Sequence, residues 1–399
     1  MPHKKFIISG TGCALADYLY LNIPFHSPEF QEYLSKEAGD GGLSPGRLVF
    51  TEELERFSGK AYPEILQNIA GGAFPDSFNI GGPSLVAMIH AAQMLNENEF
   101  EVRFFGQTGK DKTATRIFEL LQKTPLDITN YQSDSNLPTP FTDVFSDPDF
   151  DNGHGERTFV NNIGAAWDYK PEDLPDEFFE SDIVCFGGTA LVPRIHDELT
   201  NLLEKAKRNG CITVVNTVYD FRNEKANPGQ RWPLGNTIES FELIDLLIMD
   251  KEEALKISGE LTVEAAAGYF SSQNLSAFVI TNGAENITAF SNGNLFASIP
   301  LSTFPVSQKV AKSSYRKGDT TGCGDNFAGG LIASVAEQLK NLKPGQLDFT
   351  EALSWAVASG GFACFYVGGT WFESRSGEKR EKVEEFNMAY KQQLKKVNC

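Results

Sequence analysis

Short apolar runs recur along the chain and alternate with stretches of helical periodicity. Phe6–Ser9, Val102–Phe105, Ile183–Phe186, Ile212–Val215, Leu246–Met249 and Phe278–Thr281 each read as a buried strand. Between them Ser84–Leu95, Thr113–Lys123, Ile195–Lys207 and Thr262–Ser271 read as helices. A strand that is apolar throughout has no solvent face, and strands joined through helices run parallel. The pattern therefore predicts an α/β fold with a mainly parallel central sheet covered on both faces. Asn326–Leu339, Thr350–Tyr366 and Lys382–Lys395 are read as helices that close the chain. Two regions break the rhythm. Residues 24–75 scatter Pro and Gly around a polar tract at 36–46, and residues 135–163 carry Pro138, Pro140, Pro148 and Gly153 before the strand-like Arg157–Ile163. Both read as excursions from the main sheet, and no internal repeat is present.

Charge narrows the partners. Lys and Arg number 35 and Asp and Glu 53, a formal net charge of −18. Such a chain repels polyanions, which argues against nucleic acid and against an anionic membrane. Cysteines at 13, 185, 211, 323, 364 and 399 form no CxxC pair, so neither a disulfide framework nor a zinc site is expected. Gly10 and Gly12 interrupt the apolar run after Lys4 and Lys5, which is too short for a signal peptide. No apolar stretch is long enough to span a bilayer. The expected location is the cytoplasm.

The stretch from Gly318 to Gly330 carries the chemistry. Gly322 and Gly324 flank Cys323 directly before a helical pattern. Glycines allow successive amides to point one way, and a helix N-terminus adds partial positive charge, so the segment suits an anion. Asp325 falls in the first turn of that helix. A carboxylate there can take a proton from a hydroxyl while the amides hold the phosphoryl group under attack.

Asp319, Thr320, Thr321, Gly322, Gly324, Asp325, Phe327 and Gly330 match the signature DTTGAGDxFxxG, with Cys323 in place of Ala. The sequence here resembles the PfkB family of carbohydrate and nucleoside kinases, most closely its adenosine-kinase-like branch. The likeness runs along nearly the whole chain. Gly12 to Asp17 resembles the GNALVD opening, and Gly81-Gly82 the double-glycine motif. Gly106 to Asp111 resembles GxxGxD, Gly155-Glu156-Arg157 a lid strand, Asp250 to Glu253 the NxxE element, and Thr281-Asn282-Gly283 the TxG element.

The resemblance implies a ribokinase-like three-layer sandwich with a small β-sheet lid. Residues 1–12, 76–134 and 164–399 would form the large nucleotide-binding and catalytic domain, and 13–75 and 135–163 the lid. It implies ATP-dependent phosphorylation of a primary alcohol of a sugar, or alternatively of a nucleoside. Asp325 would be the base, with the amides of Gly322, Cys323 and Gly324 around the transferring group. Asp17, Gly81, Gly82 and Asn79 would face the acceptor, and Thr281, Gly283, Asp319 and Thr321 the nucleotide. Glu253 and Asp250 would act through Mg²⁺, and Asp319 is the candidate for a monovalent cation such as K⁺. A homodimer through the lid is left open.

Three departures bear on substrate. Val86 stands where the double-glycine motif usually continues to Asn, Asp250 replaces an Asn, and Asn286 replaces the second Gly of TxGxxG. Other folds fail at decisive residues. A dinucleotide fingerprint at Gly10-Thr11-Gly12 would need a small residue where Leu15 stands, and a P-loop would need Ser or Thr where Asp111 follows Gly109-Lys110. A catalytically idle sugar-binding homologue would have no use for Asp325.

Overall fold

The structure is a computed structural model that describes residues 4–37, 39–235, 237–313 and 320–397. Its strands are β1 (Phe6–Gly12), β2 (Leu15–Tyr20), β3 (Leu48–Phe50), β4 (Ser77–Gly81), β5 (Phe100–Gly109), β6 (Tyr131–Ser135) and β7 (Phe141–Asp147). They continue as β8 (Glu156–Asn162), β9 (Ile183–Gly187), β10 (Ile212–Asn216), β11 (Leu246–Asp250), β12 (Ala277–Thr281), β13 (Ile287–Ser291) and β14 (Ile299–Phe304). Nine of them form one sheet in the order β14-β13-β12-β11-β10-β9-β1-β5-β6. From β12 to β6 every neighbouring pair is parallel, and β13 and β14 add antiparallel strands at one edge. The six apolar runs read from the sequence as buried strands all lie in this sheet, while the strand-like Arg157–Ile163 lies in a second one.

Helices cover both faces. On one, Pro83–Met94, Cys323–Leu339 and Phe349–Ala363 enclose a core with Ile8, Leu85, Met88, Phe104, Leu331 and Ala356. Small residues let these helices meet closely: a Cβ on Gly329 would lie 2.5 Å from the Ala87 carbonyl oxygen, and one on Gly330 2.3 Å from Ser359 Oγ. On the other face, Leu199–Arg208 and Val263–Ser271 cover Phe186, Val215, Leu247 and Phe278. No helix among the described residues is long and apolar enough to cross a membrane.

The second sheet runs β3-β8-β7-β2-β4. Its edge strand β4 lies beyond the 13–75 and 135–163 stretches expected to supply the lid. Alternation gives the sheet two different faces. Tyr20, Phe145, Val160 and Val49 join Tyr62, Ile65, Leu54 and Phe30 in a separate core. That face is covered by the chain's own helices, Thr51–Ser58 and Tyr62–Ile69. Tyr62 OH donates to Asp143 Oδ2 at 2.5 Å, pinning one helix to the sheet, and burial pushes the Asp143 carboxyl up to about 7. The opposite face carries Leu15, which packs into the large domain's core, so this face looks inward.

Candidate active site

The glycine segment folds as its composition demands. Gly322 caps the helix Cys323–Leu339 with φ +75°, and a Cβ there would lie 2.5 Å from the Cα of Gly369. Gly324 is exposed, and a Cβ on it would meet no atom within 4 Å, so its backbone borders open space. Asp325 follows in the first turn, and burial pushes its carboxyl up to about 6. Asp319, the proposed cation ligand, and Gly318 lie outside the described residues.

A buried polar hub behind the turn was not legible in the sequence. Asn326 donates from Nδ2 to the carbonyls of Gly322 (2.8 Å) and Gly369 (2.9 Å). Its Oδ1 meets Lys379 Nζ (3.1 Å), Tyr366 OH (3.0 Å) and His90 Nδ1 (2.7 Å). Lys379 also donates to Gln93 Oε1 at 2.9 Å. Burial lowers the Lys379 ammonium to about 7 and holds His90 well below the ordinary imidazole range. The hub fixes the carbonyl of the helix cap and so the direction of the turn. Its members come from three helices and the loop after Phe349–Ala363, and only Asn326 adjoins a motif.

Asp17 lies within β2 and is buried. It faces Gly81 so closely that a Cβ there would sit 2.2 Å from its Oδ2. Gly82, at φ +92°, would place a Cβ 2.6 Å from the Cys13 carbonyl oxygen. The two glycines thus let β4 pass against β2 under this carboxylate. Burial raises the Cys13 thiol strongly, and the charges of Asp325 and Asp17 both add to the effect.

The inward lid face is polar in a single row. Asn79 pairs with Asp17, Asp17 with Thr142 and Thr142 with Asn161 in adjacent strands, so all four share one face. Asn161 Nδ2 donates to Thr142 Oγ1 at 2.9 Å, while its Oδ1 is buried with no hydrogen-bond partner among the described residues. Asn79 has its bonds committed: Nδ2 to the carbonyls of Val367 (3.1 Å) and Thr370 (3.4 Å), Oδ1 to the Ile80 amide. It ties the lid edge to the loop behind Gly322. Val86 is 1% exposed, and a Cβ on Gly369 would touch it at 3.1 Å. That position is a packing site, so its apolar residue removes nothing from the cleft.

The strand ends supply the rest. Asp250 and Thr281 pair at the C-terminal ends of β11 and β12, where Gly283 follows at φ +55°. Asp250 and Glu253 cap the helix Lys251–Ser258 reciprocally, the side chain of each accepting the other's amide (2.8 and 2.9 Å). Glu253 also accepts from Thr217 Oγ1 at 2.5 Å. Burial first, then the Asp250 charge, raises the Glu253 carboxyl, and Asp325 contributes. No cluster of three or more potential metal ligands occurs among the described residues. A buried acid beside a second acid nevertheless suits a cation that keeps most of its own water, as Mg²⁺ does. Arg157, on lid strand β8, reaches the glycine loop and donates to Thr321 Oγ1 and, at 3.3 Å, to Thr320 Oγ1. Sequence reading noted its strand but not its reach.

Known proteins resemble this chain along most of its length. The sequence profile described as "pfkB family carbohydrate kinase" matches residues 76–373. Adenosine kinase from Schizosaccharomyces pombe is 24% identical over 341 residues, which cover 80% of this chain and 90% of that one. Among solved structures, adenosine kinase from Schistosoma mansoni in complex with 2-fluoroadenosine superposes with a TM-score of 0.68 at 16% identity, covering 92% of this chain and 97% of that one. Ribokinase from Thermotoga maritima gives 0.59 at 20% identity, covering 96% and 99%. These structural likenesses agree with the ribokinase-like architecture expected from the sequence.

Proposed function

The chain belongs to the pfkB family of carbohydrate kinases, and we propose that it transfers the γ-phosphoryl group of ATP to a primary alcohol of a sugar or related polyol. The observation that carries the reading is the closure of the lid edge on the glycine turn: Asn79, the register partner of Asp17, donates to the carbonyls of Val367 and Thr370, and Gly369 between them packs on Gly322 and accepts from Asn326. It brings an acid in a glycine-flanked helix turn together with an acid on the lid. In this reading Asp17 accepts from hydroxyls of the acceptor and Asp325 takes the proton of the attacking one. The amides of Gly322, Cys323 and Gly324 receive charge from the transferring group. A carboxyl held near 6 is ionised at neutral pH yet basic enough for that transfer. Arg157 would bring lid closure to the same phosphate. Asp250 and Glu253 would hold Mg²⁺, and its charge would be available to offset that of the phosphates. Thr281 and Gly283 would border the nucleotide.

The inward lid row favours a polyhydroxylated acceptor. Asp17, Thr142 and Asn161 offer side-chain oxygens along one line, and the Asn161 Oδ1 has no donor among the described residues. The alternative is a nucleoside, favoured by the similarity to the fission-yeast adenosine kinase. The outer lid face, which a lid-to-lid homodimer would need, is covered by the chain's own helices, and that supports a monomer.

Thermal-shift titration with sugars, polyols and nucleosides, with and without a non-hydrolysable ATP analogue, tests the substrate class. A true acceptor at about 100 Kd adds about 2.7 kcal/mol of stability. Stabilisation by adenosine alone among the acceptors would transfer the proposal to the nucleoside.

A further inference from the structure

Two thiols face each other at the glycine turn. Cys323 Sγ, on the first residue of the helix Cys323–Leu339, lies 3.5 Å from Cys364 Sγ, at the end of Phe349–Ala363. Both residues are partly exposed, whereas Cys13, Cys185 and Cys211 are buried. Burial drives the thiols of those three upward, Cys211 to about 11 and the other two further. Only the 323–364 pair among the described cysteines therefore combines access with a neighbour. A disulfide needs its sulfurs about 2.05 Å apart, so the pair must close by roughly 1.5 Å.

We propose that Cys323 and Cys364 form a reversible oxidation site, whose disulfide disables the glycine turn. A low-molecular-weight disulfide such as glutathione disulfide is a sufficient oxidant. One protein thiolate attacks it, forming a mixed disulfide and releasing one glutathione. The second protein thiolate then attacks the bonded protein sulfur and releases the other. Two protein thiols become one disulfide while glutathione disulfide is reduced to two thiols, which take up the two protons.

The consequence follows from packing. A Cβ on Gly360 would meet the Cys323 carbonyl oxygen at 2.9 Å, and one on Gly322 would meet Gly369 Cα at 2.5 Å. The first helical turn already touches the segment that Cys364 belongs to. Whatever part of that closure side-chain rotation does not supply falls on the backbone of Cys323 and its neighbours, where little slack remains. A misplacement of about 1 Å at a reacting centre can cost on the order of 10²-fold in rate. This loss of activity rests on the phosphoryl-transfer reading above, whereas formation of the disulfide does not.

The test exposes the full chain to graded glutathione and glutathione-disulfide buffers. One readout is peptide mass after blocking residual thiols, the other is phosphoryl transfer. A linked 323–364 peptide is expected, two hydrogens lighter than its reduced parts, with activity at least tenfold lower and restored by dithiothreitol. Cys364→Ala should match the parent under reduction and resist the oxidant, while Cys211→Ala should remain sensitive. A mixed glutathione adduct without the 323–364 link overturns the proposal. So does a Cys364→Ala protein inactivated as readily as its parent. A linked peptide in a protein inactive under every condition would sink the kinase reading and leave the oxidation site standing.

Discussion

The two sides of the cleft are built in opposite ways. The phosphoryl side is local: Gly322 to Asp325 are consecutive residues in one helical turn, and much of their proposed chemistry is backbone. The acceptor side is distributed: Asp17, Thr142 and Asn161 come from β2, β7 and β8 and meet only through strand register. Behind the first stands a hub that fixes the carbonyl of Gly322. Behind the second stands a sheet whose other face is clamped by two helices. A local device tolerates few changes, because each residue has one geometric task. A distributed surface can exchange single contacts and so alter specificity while leaving the reaction untouched.

The sharpest way to test that contrast is Asp325→Asn. It keeps shape and removes the base, so kcat should fall by about 10²–10⁴ with nucleotide affinity retained. In the parent, kcat/KM should rise with pH through about 6 as the carboxyl ionises and then level off. Stability gives a second check. The folded-state value is raised, so the fold favours the protonated carboxyl, and ionising it costs stability above pH 6. Asp325→Asn should therefore stabilise the protein at pH 8 by about 3 kcal/mol, and only slightly at pH 4. Near-parental turnover, or an unaltered pH profile, would remove Asp325 from the reaction.

Next in size is Gly324→Val. The position borders open space, so the fold should survive. A branched side chain would occupy the place where phosphate approaches, and loss of one backbone donor at a reacting centre typically costs about 10²–10³ in rate. Circular dichroism and Tm close to the parent, with that loss, are the expected pair of results. Full activity would show that this amide faces nothing that reacts.

On the distributed side, Asp17→Ala should raise the acceptor KM by about 10- to 100-fold, as for hydrogen bonds to a charged group. The ATP KM should stay nearly unchanged. Equal damage to both constants would mean that the two sides of the cleft are not separable.

Legibility in sequence follows the same division. Strands β9 to β12 could be read almost to the residue, because a strand buried on both faces leaves an unbroken apolar run. The Ile195–Lys207 pattern is instead two helices, Pro193–Asp197 and Leu199–Arg208. They meet at Glu198, whose φ of −105° and ψ of 13° are not helical, a break that periodicity alone does not reveal. The lid helices Thr51–Ser58 and Tyr62–Ile69 were hidden among the Pro and Gly of 24–75. They are short and owe their stability to packing on the sheet rather than to their own sequence. In the site, the glycine turn was visible as a string. Lys379, 53 residues from Asn326, and Asn161, at the end of a lid strand, were not, since only folding brings them to their places.

The smallest expected effect separates function from stability at one residue. Asn161 is 2% exposed, and its Oδ1 has no hydrogen-bond partner among the described residues, a condition that costs the folded state free energy. Its Nδ2 bond to Thr142 recovers part of that cost. An acceptor hydroxyl donating to Oδ1 would satisfy the orphan atom on binding. Asn161→Ala should then raise the acceptor KM about 5- to 15-fold, the value of one neutral hydrogen bond. Values of kcat and of the ATP KM should scarcely move. Asn161→Leu deletes both polar atoms and fills the same volume, so it should weaken the acceptor similarly while leaving Tm equal or higher. A purely structural Asn161 would behave in the opposite way, losing Tm in both variants with the acceptor KM unchanged. Acceptor kinetics and thermal melts on the two proteins decide between these outcomes.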